Sequence, residues 1–474
     1  MSTKHSKAAA QYLRTPDVAL HHDATFFNVR QKRDRMAQAL PEWEQLREMA
    51  DQIKRHTATH LDSYLEQFER EAKANGIHVH WAADADEYNS IVLDLLRTNG
   101  VKKVVKSKSM LTEECHLNSH LEAAGIDVVE TDLGERILQM MALAPSHIVM
   151  PALHVHREDI GRCFREKIAD YADIAKTYTG DATDENDPTL LTYIARMHLR
   201  RQFAEADCGM TGANFGIAET GEVVVCTNEG NADMSTSIPR LHIVSMGIEK
   251  LVPTVKSMGI FQRLLARCGT GQETTVYTSH FRGPRPGGEM HIVLVDNGRS
   301  SILGNAEHWQ TLKCMRCGAC MNTCPVYRRS AGYSYTYFIP GPIGINLGML
   351  RDADEHYHNV SACSLCCSCD NVCPVKVDLS QQIYLWRQQL DALGHASTMK
   401  KTMSRAMALL FNRPGLYTGM LRLAPMVNWM PNAVLNAGLN PWAYGHKMMT
   451  FPKKSFHQWW KENKAGDAQN KAQD

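Results

Sequence analysis

Along the first two thirds of the chain, apolar positions switch between a helical and a strand period. Leu61, Tyr64, Leu65 and Phe68 fall at i, i+3, i+4 and i+7, one face of a helix that ends near Asn75-Gly76. Ile77, Val79 and Trp81 then alternate with His78 and His80, as in a strand. Residues 84–100 open with an acidic first turn, carry Ile91, Val92, Leu95 and Leu96, and stop at Gly100. "VKKVV" (101–105), "IDVVE" (126–130) and "SHIVM" (146–150) read as strands. "TEECHLNSHLEAAG" (112–125) reads as one helix with Thr112 as its N-cap. This rhythm predicts an α/β fold, a parallel sheet sandwiched by helices. Farther on, Phe215 to Ala218 and Glu222 to Thr227 predict a hairpin turned at Thr220-Gly221.

In such sheets ligands sit beyond the carboxyl ends of the strands. Those ends carry Lys106-Ser107-Lys108, Glu130-Thr131-Asp132 and Ala152-Leu153-His154, and the hairpin delivers Asn228, Glu229 and Asn231. Lys106, Ser107, Lys108, Glu219 and Glu229 together sketch an anion or carboxylate site, with Lys106, Lys108 and Glu229 as the catalytic candidates. Singly, each is as readily a cap or turn residue. "CGTGQE" and "GANFG" lack the strand–GxGxxG–helix context of a dinucleotide site, so neither a nicotinamide nor a flavin is expected in this chain. For the pair His154 and His156, surface or cap roles suit better than metal ligation.

The 474 residues are 44% hydrophobic and 22% charged, and 52 basic against 51 acidic residues leave a net charge of +1. That balance gives no support to a dedicated nucleic-acid binder. The opening "MSTKHSKAAAQYLRT" has no apolar h-region. The most apolar stretch, residues 137–153, is interrupted by Gln139, Pro145, Ser146, His147 and Pro151, so no clean membrane helix is expected. A cytoplasmic protein is the expectation. In that compartment the fourteen cysteines are metal ligands or buried thiols rather than disulfides.

Eight of them change the picture. "CMRCGACMNTCP" places Cys314, Cys317, Cys320 and Cys324 before Pro325, and "CSLCCSCDNVCP" repeats the spacing with Cys363, Cys366, Cys369, Cys373 and Pro374. Three closely spaced thiolates wrap one face of a [4Fe–4S] cluster, while the fourth reaches the other cluster of the pair. Zinc needs only four ligands, usually two CxxC pairs set well apart. The doubled run therefore predicts two [4Fe–4S] clusters with exchanged fourth ligands. Cys314, Cys317, Cys320 and Cys373 hold one, and Cys363, Cys366, Cys369 and Cys324 hold the other. Cys367 fits no register. Cys115, Cys163, Cys208, Cys226 and Cys268 are scattered, as buried thiols are. The runs start 363 − 314 = 49 residues apart, and the Tyr-, Gly- and Pro-rich segment 327–350 between them reads as an insertion loop that covers the clusters or meets a partner.

After Pro374, Leu379, Ile383, Trp386 and Leu390 mark a helix. Beyond it the chain is Met- and Trp-rich, which suits helix packing or partner docking better than a membrane surface. Residues 461–474 read as a disordered polar tail.

"VVKSKSMLTEE", "ETDLGERILQ", "GANFGIAETGEVVVCTNEGNAD" and "IVLVDNGRS", with both cysteine runs, resemble the lactate utilization protein B family. The resemblance implies a Rossmann-like lactate-utilization domain over 41–304, similar to the ribose-phosphate isomerase and CoA-transferase group. A helical arm (1–40) precedes it. An all-α two-cluster ferredoxin-like domain (305–390) and a helical C-terminal extension (391–474) follow. It also implies an electron-transfer role in oxidising L-lactate to pyruvate, beside a cysteine-rich subunit and a standalone lactate-utilization-domain subunit. The competing expectation is a self-contained α/β enzyme, transferase- or isomerase-like, with accessory clusters.

Overall fold

Six strands form one parallel sheet: β1 (His78–Ala82), β2 (Lys103–Lys106), β3 (Asp127–Glu130), β4 (Cys208–Gly212), β7 (Leu241–Gly247) and β10 (Glu289–Val295), in the order β1-β10-β7-β4-β2-β3. The computed structural model describes residues 3–395, 398–435 and 449–470. Both faces of the sheet are covered, which is why its strands are nearly all apolar. On one face Val104, Val128, Ile243 and Val293 pack against Tyr88, Val92 and Leu96 of helix Ala85–Thr98 and Leu117 and Leu121 of helix Leu117–Ala123. On the other, Val244, Met246, Ile292 and Leu294 meet Leu61, Leu65 and Phe68 of helix Leu61–Ala74. Neighbouring residues of β10 thus serve opposite cores, as a period of two requires.

A second sheet has the order β8-β5-β6-β9, built from β5 (Phe215–Ile217), β6 (Glu222–Thr227), β8 (Leu251–Val252) and β9 (Tyr277–Phe281). β5 and β6 are antiparallel, pairing Phe215 with Val224 and Ile217 with Glu222. Their turn needs glycine at 221, where φ is +66° and a Cβ would stand 2.1 Å from the Ala72 backbone nitrogen.

Four local expectations need correction. "SHIVM" is not a strand. Held between Pro145 and Pro151, it folds into turns closed by His147, whose Nδ1 accepts from the Val149 and Met150 backbones at 3.0 Å each. "TEECHLNSHLEAAG" is two helices, Met110–Glu114 and Leu117–Ala123, broken at His116 in the left-handed region. Their first cap is Ser109, not Thr112. The segment 327–350 is less a loop than a cover: Pro342 sits in the first turn of helix Gly341–Arg351, which is buried along nearly its whole length. In the expected disordered tail, residues 461–470 continue helix Phe456–Asn470, with Lys454 paired to Glu462, and 471–474 lie outside the described residues.

Residues up to Leu390 make one compact unit, and those from Asp391 a second. In the first, the N-terminal helices Pro16–Gln38 and Trp43–Thr59 bring Phe26, Leu46 and Ala50 into the same core as the cysteines. In the second, helices Thr398–Phe411 and Pro414–Leu423 leave Met399, Met403, Met407, Phe411 and Leu423 exposed. Among the described residues no helix is long and apolar enough to cross a membrane.

Candidate functional site

The two cysteine runs adopt one backbone twice. In the first, Arg316 sits at φ +60° and its N–H donates to Cys314 Sγ at 3.4 Å. Gly318, at φ +77°, then starts helix Ala319–Thr323, which carries Cys320, and Cys324 caps the helix opened by Pro325. In the second, Leu365 takes φ +54° and donates to Cys363 Sγ at 3.3 Å, and Cys367, at φ +59°, starts helix Ser368–Val372 with Cys369. Cys367 therefore stands where Gly318 does. At 318 a Cβ would come within 2.9 Å of the His147 ring, whereas Cys367 is exposed and its side chain has room.

Cys314, Cys317, Cys320 and Cys373 line one small cavity, closed by Ile148, Ile343, Val375, Val377 and Leu379. Cys324 lies within electrostatic reach of Cys363 and Cys366, and Cys369 within reach of Cys324 and Cys363. Cys373, the last cysteine of the second run, thus shares the cavity of the first group, and Cys324 lies near cysteines of the second run. Cys268, expected only as a buried thiol, also sits against Cys317. Burial pushes the Cys373 thiol up to about 12 and Cys324 to about 11, so thiolates here require compensating positive charge.

The N-terminal helices bring part of that charge. Arg47 donates to the Cys373 carbonyl through Nε at 3.0 Å and Nη2 at 2.9 Å, and Arg33 to the Val372 carbonyl at 3.2 Å. Arg30 bonds Thr323 and Ser368, one residue from each run's helix. Sequence reasoning missed these residues. Their signal was charge inside an apolar stripe: Arg33 shares the buried face of Phe26, Val29 and Ala37.

A larger cavity, about 580 Å³, opens beyond the carboxyl ends of β2, β4 and β7. Lys108 and Glu229 line it and Lys106 does not. Lys106 is buried beneath, 2.7 Å from Glu130 and 3.1 Å from Thr112 Oγ1. Glu219 is elsewhere, accepting from the Val255 N–H at 3.0 Å at the start of helix Val255–Gly269. Lys108 Nζ is buried with no hydrogen-bond partner and lies 3.9 Å from Glu135. Glu229 accepts from the Leu133 N–H at 3.1 Å. Burial, reinforced by neighbouring Asp132, raises the Glu229 carboxyl to about 7. Burial and the Glu113 charge raise Glu135 to about 8. On another wall Arg299 pairs with Glu249 at 2.6 Å and Glu114 at 2.9 Å. Burial works to raise the Glu249 carboxyl, but Arg299, Lys250 and Arg316 outweigh it and hold it at about 2.

The two cavities share a boundary. Ile148 lines both, and Arg316, inside the first cysteine run, lines the larger one.

Residues 65–300 match the LUD domain model, 310–377 the 4Fe-4S dicluster domain, and 391–465 the model described as lactate utilisation protein B, C-terminal. Lactate utilization protein B of Oceanobacillus iheyensis is 40% identical over 454 residues, covering 93% of this chain and 92% of its own length. The chain belongs to the lactate utilization protein B family. The family member from Geobacillus thermodenitrificans is 40% identical over 441 residues, 90% of each chain. The uncharacterized electron transport protein YkgF of Escherichia coli is 38% identical over 450 residues, 92% of each. A crystal structure of a DUF162 family protein from Deinococcus radiodurans covers 50% of this chain and 98% of its own at 14% identity, with a TM-score of 0.28, too loose to compare folds. As a dicluster protein of this family, the chain takes two [4Fe–4S] clusters. Its residues fit them: four thiols surround an apolar space, and backbone N–H groups of Arg316, Leu365 and Val377 donate to cysteine sulfur.

Proposed function

We propose that this chain is the electron-transfer component of a system oxidising L-lactate to pyruvate. Cys314, Cys317, Cys320 and Cys373 hold one cluster, and Cys363, Cys366, Cys369 and Cys324 the other. Two such clusters supply one-electron carriers in series. The observation that carries the reading is the shared wall between the first cysteine group and the larger cavity. Electrons enter from the cavity side and leave at the second group, where Cys366 is exposed. Around the first group, Arg316 and Lys250 beside Cys314, Lys313 beside Cys373 and Arg47 on the Cys373 carbonyl offset thiolate charge. The partners are the cysteine-rich and the standalone lactate-utilization-domain subunits of the same system.

The test is anaerobic turnover. The purified chain, fully loaded with iron, should not oxidise L-lactate at a useful rate, and adding both companions should restore oxidation with an artificial acceptor. Robust oxidation by the isolated chain would overturn this reading in favour of a self-contained enzyme.

A further inference from the structure

Four cations (Lys108, Lys250, Arg299, Arg316) and four carboxyls (Glu114, Asp132, Glu229, Glu249) line the larger cavity. Most are already committed. Arg299 holds both Glu114 and Glu249, and Asp132 caps helix Leu133–Met141 through the Glu135 N–H. Two buried cationic donors are left without an acceptor, Lys108 Nζ and Arg316 Nη1. A buried charged donor with nothing to donate to is costly, and a native fold that keeps one has a further use for it.

The surroundings separate the two. Lys108 is hemmed by Glu113, Glu135 and Glu229. Arg316 has Lys250 beside it, and Glu249, the carboxylate those two cations share, is already held by Arg299. An anion entering the cavity is therefore drawn to Arg316. The duplicated backbone sharpens the point: the matching position of the second run is Leu365, so the left-handed geometry of the loop does not demand a guanidinium. Only the run that borders the cavity has one. Guanidinium groups bind carboxylates through paired N–H donors. Met110, Leu133, Ile137, Val149 and Leu153 make an apolar part of the wall, beside uncharged polar residues such as Asn214 and Asn231.

We infer that the cavity binds a small organic monocarboxylate with an apolar tail, anchored at Arg316, and that it is not restricted to three-carbon acids. The volume supports the second clause: about 580 Å³ lies within the roughly 300–1,000 Å³ range of sites for much larger ligands than lactate. The inference rests on the proposed lactate-linked role only in choosing 2-hydroxy and 2-oxo acids as probes.

The test is calorimetric titration of the cluster-loaded full chain, under anaerobic conditions, with pyruvate, L-lactate and 2-hydroxy-4-methylpentanoate. Pyruvate and the six-carbon acid should both bind, the latter at least as tightly as L-lactate, and Arg316→Gln should weaken each at least tenfold. Because Arg316 and Lys250 both stand beside Cys314, binding is read per iron-loaded chain, and Lys250→Gln is the second variant, expected to weaken it several-fold on that scale. Absence of binding by every acid would overturn the site. So would equal binding in both variants, or displacement of pyruvate by AMP. The relay reading is separate: a chain whose clusters accept electrons through its companions while no acid binds loses only the site. A chain that binds acids while its clusters never accept electrons loses only the relay.

Discussion

Lys106 and Lys108 are two residues apart in sequence and differ in what surrounds them. Lys106 is buried against Glu130, whose second oxygen has no other partner, so Lys106→Ala would strand a carboxylate in the core. Removing one member of such a pair costs about 3–5 kcal/mol. We expect that loss in anaerobic denaturant unfolding, and a much smaller one for Lys108→Ala, whose ammonium makes no hydrogen bond. An equal cost for both variants would contradict this account. The carboxyls near Lys108 set a pH dependence. Glu135 is raised from 4.5 to about 8, so between those values the folded chain binds more protons than the unfolded one. Its contribution therefore falls as pH rises through that window, by at most about 1.4 kcal/mol per pH unit. Unfolding midpoints should decline from pH 5 to pH 8, and Glu135→Gln should flatten the decline. Both lysines could be read off the end of a strand. Which one faces the cavity could not, because it depends on how Glu130 and Glu135 approach from β3 and the helix after it.

At the scale of elements, period and spacing were informative wherever the determinants were local. Alternation in 215–227 marked the hairpin, and the doubled cysteine interval marked two loops of one geometry. "SHIVM" misled because its apolar residues belong to no sheet: Ile148 is drawn to the cysteines and Tyr327 bonds the Ser146 carbonyl at 2.7 Å. These are contacts to residues more than 150 positions away, beyond any window of sequence. The doubled loops also give Cys324 and Cys367 different places, one at a helix cap before Pro325 and the other at a left-handed helix start. Cys324→Ser should perturb the electron paramagnetic resonance of the second-run cluster more than that of its own run. Cys367→Ser should leave both signals intact, since 367 is a left-handed helix-start position. A spectrum in which Cys324→Ser alters only the first-run cluster would falsify the exchange.

For the whole molecule, the two ends of the chain do different work. In sequence the first ~40 residues read only as a helical arm. Folded, Arg30 and Arg33 reach the helices of the cysteine runs, and His22 bonds the Arg328 carbonyl at 2.8 Å. At the other end, every described residue lining either cavity precedes Asp391. Met399, Met403, Met407 and Phe411 are exposed at four-residue intervals along one face of helix Thr398–Phe411. Flexible thioethers in such a stripe suit an adaptable contact with another protein. Truncation after Leu390 should therefore leave iron content and pyruvate binding unchanged, yet abolish lactate-dependent reduction through the companion subunits. Deleting residues 1–40 should do the reverse at the first step, lowering retained iron well below that of the full chain before any partner is added. Iron per chain and companion-dependent reduction, measured on both truncations, separate the roles. Loss of iron on removing the C-terminal unit would show that it supports the clusters instead of meeting a partner.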